Sequence, residues 1–386
     1  MIMKRFVSLL ALSVCMTIVM AQPYKMVIRV NNGTALGFPD GKISIPVDDI
    51  SEVTFEDINN ITPSTQIPIT FQFLDYSTSV TRSPLRKAPA LTARKYGVFG
   101  CYNNGEPISQ DNLSANIMNN QLVTYADGGW EYAPIKYWQE KEQGNNFTSF
   151  FAYSPYADES SNGFVSVNST TTVPMIEYKS INPMDDAGDL LYGSQTNATK
   201  NTNNGCVTIE SRHALARLNL KAALFEEKDA NTKITIKSVK ISGQIPSSGQ
   251  FDLYRQQWKN LSTEAQTFTL EGDNLVADLR DAGETSAASQ PEGVTYNSKL
   301  IGVNPYLFIP TDGEKVITFT VEYYVTTDNT SLTTGYARVN HVISKTFSMK
   351  LIAGYSYDIQ IGFGMNSLRY SINANSSWTS DVVIGF

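Results

Sequence analysis

Polar and apolar residues alternate with period two along most of the chain. In "KVITFTVEYYV", Ile317, Phe319, Val321 and Tyr323 fall on one face, with Thr318, Thr320 and Glu322 on the other. In "YSYDIQIGF", Tyr355, Tyr357, Ile359, Ile361 and Phe363 alternate with Ser356, Asp358, Gln360 and Gly362. Ala214, Ala216, Leu218 and Leu220 share a face in "HALARLNLKA". Successive side chains of a strand point to opposite faces, so these runs predict half-buried β-strands. "KITIKSVKIS" keeps Ile234 and Ile236 in phase and then slips by one to Val239 and Ile241, which predicts a β-bulge. Turns rich in Asn, Gly and Ser, such as "NNGEP", "DGGW" and "DESSNG", separate the runs. One short helix is expected at "SQDNLSANIMNN". The pattern is that of an all-β chain built of sandwiches.

A chain of 386 residues is too long for one small core, and two domains are expected. Residues 22–61 hold short strands around "YKMVIRVNN", "KISIPV" and "SEVTFED", followed by the linker "NNITPSTQ". Residues 76–105 carry Arg82, Arg86, Lys87, Arg94 and Lys95 and no acidic residue. "GSQTNATKNTNNG", near residue 200, is the expected seam between two larger β-domains. The division expected is therefore a leader over 1–21, a small β-unit with its linker over 22–61, and two sandwiches over 62–204 and 205–386.

The first residues, "MIMKRFVSLLALSVCMTIVMAQ", place Lys4 and Arg5 before an apolar stretch that ends at the small residue Ala21. This is the layout of a secretory signal peptide cleaved after Ala21. The stretch "LSVC" offers the alternative of lipidation at Cys15, although Val14 occupies a position where lipoprotein signals carry a small residue. Beyond the leader only Cys101 and Cys206 remain, too few for a disulfide framework.

Charge and residue chemistry narrow the function further. The net charge of −7 offers no basic excess for nucleic acid. With only His213 and His341, no histidine pair stands at metal-ligand spacing. Asp185, Asp186 and Asp189 lack the ligand spacing of a calcium loop. No phosphate-cradling motif and no nucleophile motif occurs. A non-enzymatic protein without cofactor or metal is expected.

The stretch "GGWEYAPIKYW", residues 128–138, crowds Trp130, Tyr132, Tyr137 and Trp138 together. Exposed, such rings could bind sugars, and a cell-surface carbohydrate-binding sandwich is the alternative function. Their alternation fits a half-buried strand better, with Trp130 and Tyr132 inward and Phe147, Phe151 and Tyr153 as cross-strand partners. Trp138, on the face of Lys136, is the ring expected to be exposed.

The series "KYGVFGCYNN", "LVTYADGGWEYAPIKYW", "TSFFAYSPYA", "DLLYGSQ" and "HALARLNLKA" resembles, in this order, the fimbrillin-like subunits of Gram-negative anaerobes of the gut and mouth. The resemblance implies two transthyretin-like β-sandwich domains in tandem, in an exported pilus subunit or adhesin. It implies a cell-surface, fimbrial or outer-membrane location, the membrane being reached only through a lipid anchor or the assembled fimbrium. The implied partners are other fimbrial subunits, with host glycans or proteins as further candidates. In that family an arginine-specific protease removes an N-terminal segment with its first strand, and a strand of the next subunit fills the groove. Carried over, Arg82, Arg86 and Arg94 become candidate processing sites. Leu368, Tyr370 and Ile372 become the alternate plugs of a candidate donor strand, the other reading being a closing strand of the last sandwich.

Overall fold

The computed structural model describes residues 24–30, 50–57, 67–75, 91–139, 146–158, 163–167, 173–181, 183, 186–224, 231–276, 299–301, 305–364, 368–375 and 383–384. The chain divides into a unit over residues 1–66 and a unit over residues 67–386. In the first, β1 (Tyr24–Val30) and β2 (Ile50–Asp57) form an antiparallel two-stranded sheet, with Tyr24 opposite Asp57 and Ile28 opposite Val53. Ala21 and Cys15 lie outside the described residues.

The second unit opens with β3 (Thr70–Asp75), β4 (Tyr96–Tyr102), β5 (Met118–Ala126), β6 (Gly129–Glu131), β7 (Thr148–Ser154), β8 (Val165–Ser166), β9 (Met175–Lys179), β10 (Leu191–Ala198) and β11 (Cys206–His213). It continues with β12 (Ala216–Leu224), β13 (Thr232–Gly243), β14 (Ser248–Asp252), β15 (Gln257–Lys259), β16 (Gln266–Val276) and β17 (Lys299–Leu300). The last strands are β18 (Tyr306–Phe308), β19 (Lys315–Asp328), β20 (Tyr336–Met349), β21 (Ser356–Phe363), β22 (Leu368–Asn375) and β23 (Val383–Ile384). The described helical residues are short 3-10 turns; of the short helix expected at "SQDNLSANIMNN" only the turn Gln110–Asn112 forms, and Met118 already opens β5.

Among the described residues, four sheets build this unit. A seven-stranded sheet runs β3-β11-β10-β7-β4-β5-β6, and a four-stranded sheet β15-β14-β9-β8 faces it. Phe99, Phe151 and Tyr153 of the first meet Val165, Ile176, Tyr178 and Phe251 of the second in one core. The other face of the seven-stranded sheet carries a second core, with Val98, Phe150 and Ala152. The central strands β4 and β7 are thus buried on both faces, which is why "YGVFGCY" and the middle of "TSFFAYS" show no alternation of apolar and polar residues. Packing at this center is tight: a Cβ on Gly193 would stand 2.4 Å from the Glu210 carbonyl oxygen.

The other two sheets, β17-β12-β21-β22-β23 with β18 beside β12, and β16-β13-β19-β20, enclose a third core. Leu218, Leu220, Tyr357, Ile359 and Ile361 of one layer pack against Ile234, Ile236, Ile317, Phe319, Val321 and Tyr323 of the other. The expected bulge is present: β13 shifts register between Ile236 and Ser238 against both β16 and β19.

The expected division between residues 204 and 205 falls before β11, yet β11 pairs with β10 and β3 in the seven-stranded sheet. Ala214 and Leu215 still belong to the core shared by the first two sheets, whereas Ala216 belongs to the third core. The hairpin β14-β15 then returns to pair with β9. The first sandwich therefore takes β11, β14 and β15 from beyond residue 204, which a division by sequence position cannot represent.

Candidate functional site

The first strand of the seven-stranded sheet is held differently from the rest. Residues Ile69, Phe71 and Phe73 are buried, whereas Thr70, Gln72 and Leu74 face outward. Along one edge β3 runs parallel to β11, in register from Cys206 opposite Thr70 to Ser211 opposite Asp75. On its other side the chain just before β3 meets the segment after β6. Ile69 N–H donates to the Lys136 carbonyl and Trp138 N–H donates to the Ile67 carbonyl, each at 2.9 Å. The Tyr132 hydroxyl donates to the Ile69 carbonyl at 2.8 Å. Residues 67–69 are thus held against residues 136–138, and β3 itself against β11.

Aromatic rings line the slot that receives this strand's buried side chains. Phe73 stacks on Tyr96, with centroids 3.9 Å apart, and meets Trp130 edge-on at 4.6 Å. Phe71 meets Tyr132 and Phe150 edge-on, at 5.6 and 5.7 Å. Trp138 packs on Phe150 at 5.6 Å, and its indole N–H donates to the Gly205 carbonyl at 3.1 Å. Edge-on pairs of this kind add to the simple burial of apolar area. The Tyr96 hydroxyl shares a hydrogen bond with Ser211 Oγ at 3.2 Å, and burial pushes it up to about 12.

These placements correct two expectations. Trp138 is 2% exposed, not the outward ring; that place is taken by Tyr137, at 38%. The alternation holds, but its phase is set by the slot: Trp138 turns in to close it, leaving Ile135 and Tyr137 outside. Trp130 and Tyr132 are half-buried against the same core. The ring that meets this cluster from β7 is Phe150; Phe151 and Tyr153 point to the opposite face.

Beyond β3 come the basic residues. Arg82 and Arg86 lie outside the described residues. Arg94 is not an exposed processing site. Its side chain is 7% exposed, and its guanidinium donates to Asp189 Oδ2 at 2.8 Å and to the Asp189 carbonyl at 3.1 Å. Asp189 Oδ1 also stands 2.9 Å from His213 Nδ1. Burial pushes the Asp189 carboxyl up, but His213 and Arg94 outweigh it and hold the group below the usual carboxylate range. The three side chains join the start of β4 to the end of β11. Asp189 is thereby engaged, and no cluster of three or more metal-ligating side chains occurs among the described residues.

Leu368, Tyr370 and Ile372 belong to β22, which pairs along its whole length with β21. Ile372 is buried in the third core, and Leu368 and Tyr370 pack against it. The candidate donor strand is thus seated in its own domain. Cys101 and Cys206 are both free. Burial pushes the Cys101 thiol up to about 12. Alkylation of the native chain at pH 8, read by peptide mass spectrometry, is expected to spare Cys101 and to label it only after denaturation.

Fold and site define an all-β protein whose first sheet is completed by an edge strand clipped into an aromatic slot. A model of the fimbrillin-like family matches residues 86–378, and the chain belongs to that family. It is similar to a solved fimbrial protein from Bacteroides vulgatus, with 18% identity over 81% of this chain and 99% of that one and a TM-score of 0.57. It also matches a fimbrial assembly protein from Parabacteroides distasonis, with 9% identity over 83% and 99% of the two chains and a TM-score of 0.40. The fimbrial anchor protein Mfa2 from Porphyromonas gingivalis matches with 11% identity over 82% and 100%, at a TM-score of 0.35. No curated protein sequence matches the chain.

Among the residues that matter here, the sequence reading missed Ile69, Phe71 and Phe73. Their signal is present: "ITFQF" alternates apolar and polar residues between Pro68 and Asp75. The Arg94–Asp189–His213 group has no comparable signal, because its members are separated by up to 119 positions in sequence.

Proposed function

We propose that the chain is a non-enzymatic fimbrial subunit or fimbria-associated adhesin, exported to the cell surface and assembled by strand exchange at the β3 slot. Its partners are other fimbrial subunits. Family membership supports the class, since the family is named for fimbrial proteins. One observation carries the mechanism. β3 is an edge strand whose buried side chains fill an aromatic slot, and the segment that joins it to β4 contains Arg82 and Arg86. Cleavage there separates the strand from the body of the protein. Loss of β3 would uncover the β11 edge and the rings of Tyr96, Trp130, Tyr132 and Phe150, which a strand from another subunit would satisfy. Head-to-tail addition of this kind does not close and gives filaments.

Digestion with an arginine-specific protease tests this reading. The expected products begin after Arg82 or Arg86 and never after Arg94, and they form ladders on gels run without boiling. Clean cleavage that leaves a monomer contradicts it. A carbohydrate-binding function loses the observation that motivated it, because Trp138 is buried and Trp130 and Tyr132 pack against the core.

A further inference from the structure

The segment that fills the slot changes partner along its length. From Thr70 to Asp75 it runs parallel to β11, whose paired part begins at Cys206, opposite Thr70. Residues 67–69 lie beyond that ladder, and Tyr132 takes hold of them. Its hydroxyl donates to the Ile69 carbonyl at 2.8 Å. The same oxygen accepts the Lys136 N–H at 3.2 Å, and the Lys136 carbonyl stands 3.2 Å from it. A hydroxyl has one proton and donates it to one acceptor at a time. The shorter contact gives it to Ile69. When the strand leaves, the proton can turn to the Lys136 carbonyl, so the hydroxyl of an empty slot still has an acceptor and escapes the cost of an unmade hydrogen bond. The Lys136 N–H fixes the oxygen in either case. The Gln121 amide, which donates to the Ala133 carbonyl at 3.0 Å, steadies the loop that carries it. Burial pushes the Tyr132 phenol up, so it keeps its proton at neutral pH.

We propose that Tyr132 is a positioning residue of the β3 slot, an end post that holds the backbone carbonyl at position 69 of whichever strand lies there. The occupant that fits is then an extended segment parallel to β11 that reaches back past the start of β11. It carries bulky apolar side chains at the positions of Ile69, Phe71 and Phe73, which are the buried ones. The aromatic rings discriminate among side chains. The end post grips backbone, which every sequence offers, so it acts on a strand from another subunit as it acts on β3. The inference rests on strand exchange at β3 and adds the point at which the incoming strand is gripped.

Displacement of β3 from the full chain, nicked by an arginine-specific protease with β3 still seated, tests this. The probes are a labelled peptide of residues 67–75 and the same peptide with a thioamide in place of the Ile69 carbonyl. The two share length and side chains and differ in the strength of one acceptor. Their affinities are compared as a ratio, which cancels the competing native strand. Tyr132→Phe keeps the ring that meets Phe71 edge-on and removes the hydroxyl. Wild type is expected to bind the thioamide peptide about two- to tenfold more weakly than the plain one, the worth of one hydrogen bond. Tyr132→Phe is expected to bind the two alike, because without the donor the acceptor no longer counts. An equal penalty in both proteins, no penalty in wild type, or loss of all uptake in Tyr132→Phe overturns the end post and leaves strand exchange standing. Uptake of neither peptide by wild type overturns strand exchange and the end post with it.

Discussion

Replacing Phe73 by alanine is expected to destabilise the unprocessed chain by about 3–5 kcal/mol, the range for removing a large buried ring. The ring is 5% exposed, stacks on Tyr96 and meets Trp130 edge-on, so its neighbours cannot easily collapse into the space it leaves. Urea unfolding followed by tryptophan fluorescence reads the loss as a lower midpoint. The same substitution carries a second expectation that ordinary core residues do not share. Once the chain has been cut between β3 and β4 and the strand has been exchanged, residue 73 no longer belongs to the folded body. Processed wild type and processed Phe73→Ala should then have the same midpoint. A difference that persists after processing would mean that β3 stays in place.

The second large effect is expected at Arg94. Its replacement by alanine leaves the buried Asp189 carboxylate with only the His213 ring beside it, and truncating one side of a buried pair costs about 3–5 kcal/mol. Acid should act on the same group. The folded-state pKa of Asp189 is depressed, so its contribution to stability is present above the unfolded value of about 3.9 and is lost as pH falls through the lower folded value. Asp189→Asn removes this dependence. Unfolding midpoints measured from pH 7 down to pH 2 are expected to fall less steeply for Asp189→Asn than for wild type below about pH 4. The position of Arg94 also bears on processing. It belongs to the basic segment 76–105, but burial withholds it from a protease that could reach an exposed arginine.

Much of the fold was legible in the sequence because alternation is a local property. The strands at 315–328 and 356–363 and the bulge in β13 follow from residues a few positions apart. β4 and β7 escaped that logic, since burial on both faces erases the alternation. The return of β14 and β15 to the first sandwich and the parallel pairing of β3 with β11 are long-range choices that no local pattern encodes. The aromatic stretch at 128–138 shows the limit in miniature. Its period was readable, but which of Tyr137 and Trp138 turns inward depends on the strand that lies against it. Arg94 stands among the candidate processing sites because it shares a basic segment with Arg82 and Arg86, while its partner Asp189 is 95 residues away.

Uptake of a labelled peptide with the sequence of residues 67–75 tests the exchange of β3 most directly. After cleavage between β3 and β4, the protein is expected to bind this peptide and to stop growing into ladders. The same peptide with Phe71→Asp and Phe73→Asp should be excluded, because charged groups cannot enter the aromatic slot unpaired. If the cleaved protein keeps its own β3, takes up neither peptide and remains monomeric, the slot is a closed part of the fold and assembly by strand exchange at β3 is contradicted.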